Sequence, residues 1–174
     1  FYQKIIDRGL CTEGQKVLDL GTGTGVLPRN LYRYGADWTG TDISPEQIEQ
    51  AILLSEAGGM KIDFRAKSTE ELDFPAGSFD VISACQCFWY FDPNTVVPVI
   101  KSLLKPGGVF LKLYMSYLKE ESIAQDSNSI VKRINGNWKG ASPALQDLNT
   151  HYFEDPHTET MLVDIPFTRE SWHG

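Results

Sequence analysis

Val17-Leu18-Asp19-Leu20-Gly21-Thr22-Gly23-Thr24-Gly25 is an apolar run that ends in a glycine-rich turn, and residues 26–34 continue it as a helical segment. Residues 16–20, bounded by Gly14 and Gly21, have the pattern of a short buried strand. Pro28 falls in the first turn of the helix, where its missing N–H costs least. Glycines let the chain turn sharply, and the missing β-carbons are read here as space for a ligand to lie close to the main chain. A Walker-type phosphate loop needs Gly-Lys-Ser/Thr after four intervening residues, and no lysine lies between Lys16 and Lys61. The dinucleotide fingerprint needs a glycine three residues after Gly23, where Val26 stands. The spacing is instead G-x-G-x-G at Gly21, Gly23 and Gly25, with Asp19 two residues ahead of the first.

Outward from this loop, strand and helix signals alternate. Residues 37–41 read as a second strand ending at Asp42. Ser44-Pro45-Glu46-Gln47 then has the form of a helix start, with Ser44 as N-cap, Pro45 at the first position and Gln47 closing a capping box. That helix is predicted to run to Ala57 and stop at Gly58-Gly59. Residues 61–66 make a third strand, and residues 79–85 a fourth after the turn Pro75-Ala76-Gly77-Ser78. A helix over residues 94–104 is predicted to end at Pro106-Gly107-Gly108, ahead of a fifth strand over 109–115. Residues 116–159 read as a partly helical insertion and 161–167 as one more strand. The alternation predicts an α/β fold, doubly wound, with a mostly parallel sheet covered on both faces and a single domain over 1–174. Ligands are expected outside the carboxyl ends of the strands, where strand order reverses. The chain begins at Phe1 rather than methionine and stops at Gly174 after a helix-start signal, so it reads as truncated at both ends.

The acid-x-Gly-x-Gly-x-Gly loop resembles the first motif of the class I S-adenosylmethionine-dependent methyltransferases, a Rossmann-like family, and the likeness extends over most of the chain. It implies S-adenosyl-L-methionine as cofactor, held by Asp19, Gly21, Thr22, Gly23 and Gly25. Asp42, 17 residues beyond Gly25, matches the acid that in this family holds both ribose hydroxyls. An ionised carboxylate accepts two such bonds, which is the physical reason for an acid there. Ile43 and Gln47 fall where relatives pack against the adenine. Ser68-Thr69 stands where many relatives carry Asp-Ala, so the acid facing the adenine amino group is replaced by Ser68, with Glu70 as a substitute. Cys85-Gln86-Cys87-Phe88-Trp89-Tyr90-Phe91-Asp92 is similar to a segment of small-molecule methyltransferases written with His-Trp-Phe-Asp, which places Cys85 and Gln86 beside the cofactor. The histidine position is Trp89, and an indole N–H only donates, so no general base is available there. The resemblance places Trp89, Tyr90 and His173 towards the substrate, and Lys105-Pro106-Gly107-Gly108 completes the match. Enzymes acting on DNA adenine or glutamine amides carry Asn-Pro-Pro-Tyr or a close variant after the fourth strand, where this chain has Ala84-Cys85-Gln86-Cys87. Cytosine C5 enzymes use a cysteine after proline, whereas Ala84 and Gln86 precede Cys85 and Cys87.

Composition agrees. The chain has 174 residues, 16 Lys and Arg against 23 Asp and Glu, and a formal net charge of −7. No basic cluster offers a phosphate-binding surface, so nucleic acid is not the expected partner. No apolar run of about 18 residues is present to span a bilayer, and no signal-peptide core opens the chain, so no membrane association is expected and the cytoplasm is the expected compartment. Cys11, Cys85 and Cys87 make an odd set without disulfide-scaffold density. Cys85 and Cys87 are read as pointing to opposite faces rather than converging on a metal. The expected activity is transfer of a methyl group to an O, N or C of a small molecule. Its alternatives are a non-catalytic S-adenosylmethionine-binding module and a NAD(P)-dependent oxidoreductase.

Overall fold

The short apolar runs at the centre of the sheet, rich in Val, Ile and Leu, form strands because both of their faces are buried. The computed structural model describes residues 1–116, 118, 120–138, 152–164, 166 and 168. Strands β1 (Lys16–Leu20), β2 (Asp37–Asp42), β3 (Asp63–Ala66), β4 (Phe79–Cys85) and β5 (Leu104–Leu113) make one five-stranded sheet in the order β3-β2-β1-β4-β5. Every pairing is parallel. The order reverses between β1 and β4, which leaves a crevice at their carboxyl ends. The fold class is the predicted doubly wound α/β architecture.

Alternation along the central strands sorts the core into two layers. Leu18, Leu20, Ile82 and Ala84 face one side, where α4 (Pro93–Leu103) covers them with Val96, Val97, Ile100 and Leu103. Val17, Trp38 and Val81 face the other, packed with Ile5 of α1 (Tyr2–Asp7) and Leu27 and Leu31 of α2 (Val26–Leu31). Helix α3 (Pro45–Ala57) buries Ile48 and Ala51, and α5 (Ser122–Ile134) follows in the insertion. Each large apolar side chain so buried is worth about 1.5–3 kcal/mol against exposure, so the two layers fix the sheet that carries the loop.

Several boundaries differ from the sequence expectations for local reasons. The start of β3 is delayed to Asp63, because Met60 N–H bonds back to the Ser55 carbonyl and Lys61 N–H to the Tyr32 hydroxyl, which keeps that stretch on the helix side. Helix α4 starts at Pro93 with Asp92 as its cap, the Asp92 carboxylate accepting from Asn94 N–H at 3.0 Å. It ends at Leu103, and β5 already begins at Leu104, so Pro106-Gly107-Gly108 lies within the strand rather than before it. The residues form a bulge: Phe79 pairs with Leu104 and Val81 with Val109. Asp80 pins the bulge, accepting from Lys16 N–H at 2.8 Å and from the Lys105 ammonium at 2.7 Å. The Lys105 bond holds the Asp80 carboxyl below its ordinary range. Met161 to Asp164 and Pro166 form no strand, and Ile165 and Phe167 lie outside the described residues. No helix among the described residues is long and apolar enough to cross a membrane.

Candidate functional site

Parallel register brings the ends of β1, β2 and β4 level with one another. Leu20 pairs with both Thr41 and Ala84, so Gly21, Asp42 and Cys85 stand level with one another at the carboxyl ends of β1, β2 and β4. The glycine loop then folds back across β2: Thr22 N–H donates to the Thr41 carbonyl at 2.9 Å, and Gly23 N–H to Asp42 Oδ2 at 2.9 Å. Ser44 N–H donates to Asp42 Oδ1 at 3.0 Å. The Asp42 carboxylate is thus fixed by two main-chain donors, one on each oxygen, and each oxygen retains a second lone pair.

That arrangement changes the expected capping box. Ser44 Oγ accepts from Gln47 N–H at 3.2 Å, as predicted, but the Ser44 N–H is taken by Asp42 and not by the Gln47 side chain. Gln47 is left exposed, its Oε1 beside Gly23. Ile43 is 74% exposed beside Asp42, an apolar side chain held in water at the rim of the loop.

The three loop glycines share a backbone requirement, and two of them differ from the sequence reading in what fills the space beside them. All have positive φ, at +60° for Gly21, +56° for Gly23 and +73° for Gly25, a region that L side chains rarely adopt. A β-carbon on Gly21 would lie 2.8 Å from Cys87 Sγ, and one on Gly25 would lie 2.7 Å from the Phe64 ring. Those two glycines make room for the protein's own side chains. Only at Gly23 is the space open, with Gln47 Oε1 the nearest atom at 3.7 Å.

Asp19 lies under the loop and not on its surface. It is 1% exposed, with Oδ2 accepting from Thr22 Oγ1 and Oδ1 from Ser83 Oγ, each at 2.7 Å. Burial pushes its pKa up to about 6, while the Ser83 and Thr22 hydroxyls pull it down and the nearby Asp42 charge raises it. A folded value above the unfolded one means that neutral Asp19 favours the fold. That contribution is complete below about pH 4 and is lost as pH rises through about 6. Sequence reading passed over Ser83. Its signal was a small polar residue inside Val81-Ile82-Ser83-Ala84, in register with Asp19.

On the β3 side, Lys67 N–H donates to the Asp42 carbonyl at 3.0 Å. Ser68 Oγ donates to Glu71 Oε2, so it points along its own turn, and Glu70 is exposed. Thr69 is buried at 4%, turned into the protein and away from the rim.

At the end of β4, Gln86 adopts φ +59°, a strained conformation for a residue with a side chain. Its N–H donates to the Leu113 carbonyl and its Nε2 to the Met115 carbonyl at 2.7 Å. This left-handed residue explains the two cysteines. In a continuous strand residues two apart share a face, but the turn at Gln86 sends Cys85 to the α1 layer and Cys87 to the α4 layer. Cys87 Sγ donates to the Leu20 carbonyl at 3.1 Å, over Gly21. Burial pushes the thiols up, to about 11 for Cys85 and further for Cys87, so neither is a ready nucleophile. Trp89 stacks on Tyr114 with centroids 5.6 Å apart, and Tyr90 is 78% exposed beside it. His173 lies outside the described residues.

A groove lined by Arg29, Asn30, Tyr32, Arg33, Gly58 and Met60 opens towards the C-terminal ends of α2 and α3 and shares none of these residues. Among the described residues no group of three or more His, Cys, Asp or Glu could hold a metal ion.

The site as built offers an open main chain at Gly23, a fixed carboxylate at Asp42 and an exposed apolar side chain at Ile43. These are the contacts that a nucleoside with a free ribose requires. Comparison with known proteins points the same way. The family described as "Methyltransferase domain" matches residues 18–111, more than half of the chain. A ubiquinone biosynthesis O-methyltransferase of Xanthomonas axonopodis pv. citri (strain 306) is 38% identical over 113 residues, 64% of this chain and 46% of that protein. The chain therefore spans about half the length of the curated relatives it matches. Among solved structures, a putative sarcosine dimethylglycine methyltransferase from Galdieria sulphuraria is 26% identical with a TM-score of 0.59, covering 63% of this chain and 43% of that one. A putative methyltransferase of Haloferax volcanii, solved with the Trm112 methyltransferase activator, is 29% identical with a TM-score of 0.52, covering 63% and 54%.

Proposed function

The chain belongs to the methyltransferase-domain family, and from that premise we propose that it binds S-adenosyl-L-methionine across the carboxyl ends of β1, β2 and β4 and transfers its methyl group to a small molecule. The cofactor supplies an already activated methyl on a sulfonium. The single observation that carries this reading is the Asp42 carboxylate, fixed by Gly23 and Ser44 N–H groups with acceptor capacity to spare. In it, Asp42 accepts from the ribose hydroxyls, Ile43 and Gln47 flank the adenine, and Ser68, Thr69 and Glu70 border it, with Glu70 the exposed one of the three. Asp19 acts from beneath through Thr22, and Gly21, Gly23, Gly25, Cys85 and Gln86 shape the floor.

The residues then have one task, to hold nucleophile and methyl donor in line with water excluded. Positioning of this kind supplies about 7–11 kcal/mol of a barrier, so no acid-base pair is demanded. Trp89 and Tyr90, at the end of β4, form the aromatic side of the acceptor region, and their ring faces suit a cationic sulfur as well as a flat acceptor. The relatives' names favour oxygen as the methylated atom.

A thermal-shift comparison tests the binding step. S-adenosylhomocysteine is expected to raise Tm in proportion to log concentration above its Kd, and NAD to leave it unchanged. The reverse pattern would overturn the reading in favour of an oxidoreductase. Transfer of labelled methyl from S-adenosylmethionine to a metabolite extract then separates an enzyme from a binding module, since a module would label nothing. In the same assay Trp89→Ala is expected to cut labelling about two- to tenfold through loss of one stacking face. Unchanged labelling would remove Trp89 from the site.

A further inference from the structure

We infer that Ser83 is a positioning residue for this reaction: its hydroxyl, reaching from β4 to the neighbouring β1, holds Asp19 in the ionised form on which cofactor affinity depends. The inference rests on the binding of S-adenosylmethionine proposed above.

Ser83 is fully buried in the middle of β4 and directly paired with Asp19 of β1. Ser83 Oγ donates to Asp19 Oδ1, Thr22 Oγ1 donates to Asp19 Oδ2, and Thr22 N–H donates to the Thr41 carbonyl. One chain of hydrogen bonds therefore links β4, β1, the glycine loop and β2 at the point where strand order reverses. An ionised carboxylate in that position weakens the fold without ligand, because burial penalises its charge. Its gain is a negative charge under a loop whose ligand carries a sulfonium and an ammonium, in surroundings where charges act strongly on one another. Binding energy of that kind depends on Asp19 being charged.

The groups packed around Asp19 leave it as the buried acid that titrates near neutrality. Asp42 faces the loop from β2. The thiols of Cys11, Cys85 and Cys87 are all raised by burial and stay neutral well above pH 8, as does the raised Tyr2 hydroxyl. Ser83 donates to the ionised form of Asp19, so removing it moves the Asp19 titration upward. A hydrogen bond to a charged group corresponds to about one to two pH units, or about a tenfold to hundredfold change in the ionisation constant.

The test is calorimetric titration of the whole protein with S-adenosylmethionine, without acceptor, and with S-adenosylhomocysteine, between pH 5.5 and 8.5. Wild type should lose affinity as pH falls through about 6, more for the sulfonium than for the thioether. Ser83→Ala should bind about two- to tenfold more weakly than wild type at pH 7, with the ratio closing towards one by pH 8.5. Asp19→Asn should be weak throughout, without this pH step. A ratio between Ser83→Ala and wild type that does not change with pH would show a merely structural role and overturn the inference, as would a pH step surviving in Asp19→Asn. If Ser83→Ala does not fold, Ser83→Cys, with a weaker donor at the same place, carries the comparison. Wild type that binds neither ligand would instead sink the cofactor assignment itself.

Discussion

Replacing Asp42 with alanine is expected to weaken S-adenosylhomocysteine binding at least about a hundredfold. A hydrogen bond to a charged acceptor is worth about 1.5–3 kcal/mol, and the ribose would offer two donors, so the loss sums to about 3–6 kcal/mol. A second contribution comes from the loop, because Gly23 N–H and Ser44 N–H both lose their acceptor. The first should appear in the dissociation constant and the second in Tm. Asp42→Asn separates them: one oxygen remains to accept, while the amide cannot replace the second, so binding should fall between wild type and alanine with a smaller loss of Tm. An unchanged dissociation constant in Asp42→Ala would remove the acid from the nucleoside site and leave it as a brace for the loop.

Gly25→Ala is expected to destabilise the loop through both its backbone and its packing. At φ +73° an L residue costs about 1–2 kcal/mol. The new β-carbon would also sit 2.7 Å from Phe64 Cζ, 3.0 Å from Phe64 Cε1 and 3.4 Å from Ala51 Cβ, an overpacking worth about 1–3 kcal/mol more. The expected loss is about 2–5 kcal/mol by urea denaturation. Gly59→Ala provides the control, since φ is +66° there but nothing lies within 4 Å, so about 1–2 kcal/mol is expected. Phe64→Leu in the Gly25→Ala background should recover part of the packing loss and none of the backbone loss. Equal destabilisation by the two glycine substitutions would show that the Phe64 contact relaxes freely.

Much of the fold was legible because local signals and burial agree. The strands at 16–20 and 79–85 are apolar runs bounded by turn residues, and their limits match the structure. Ser44 and Pro45 start α3 as their chemistry requires. What stayed hidden depends on partners distant in sequence. The bulge at Pro106-Gly107-Gly108 looks like a helix stop until Asp80 and the β4 register are known. The run at 161–167 reads as a strand, but none of its described residues is in one. Gly21 and Gly25 signal bare main chain, and sequence does not tell whether the bared space belongs to a ligand or to Cys87 and Phe64. Of the residues gathered at the crevice, Asp42 and Ile43 were foreseen in their places. Asp19 was foreseen by position but lies beneath the loop, and Ser83 makes sense only across a separation of 64 residues.

The strand order also sets a timetable for synthesis. The inner edge of β1 is completed by β4, which leaves the ribosome about 60 residues later, and at 5–20 residues per second that interval is roughly 3–12 s. Throughout it a nascent β1 carries Val17, Leu18 and Leu20 on an unpaired edge, the kind of surface that recruits chaperones or other unfinished chains. Asp19 lies on that edge between Leu18 and Leu20, and an inward-pointing charge of this kind opposes edge-to-edge pairing until Ser83 is there to bond it.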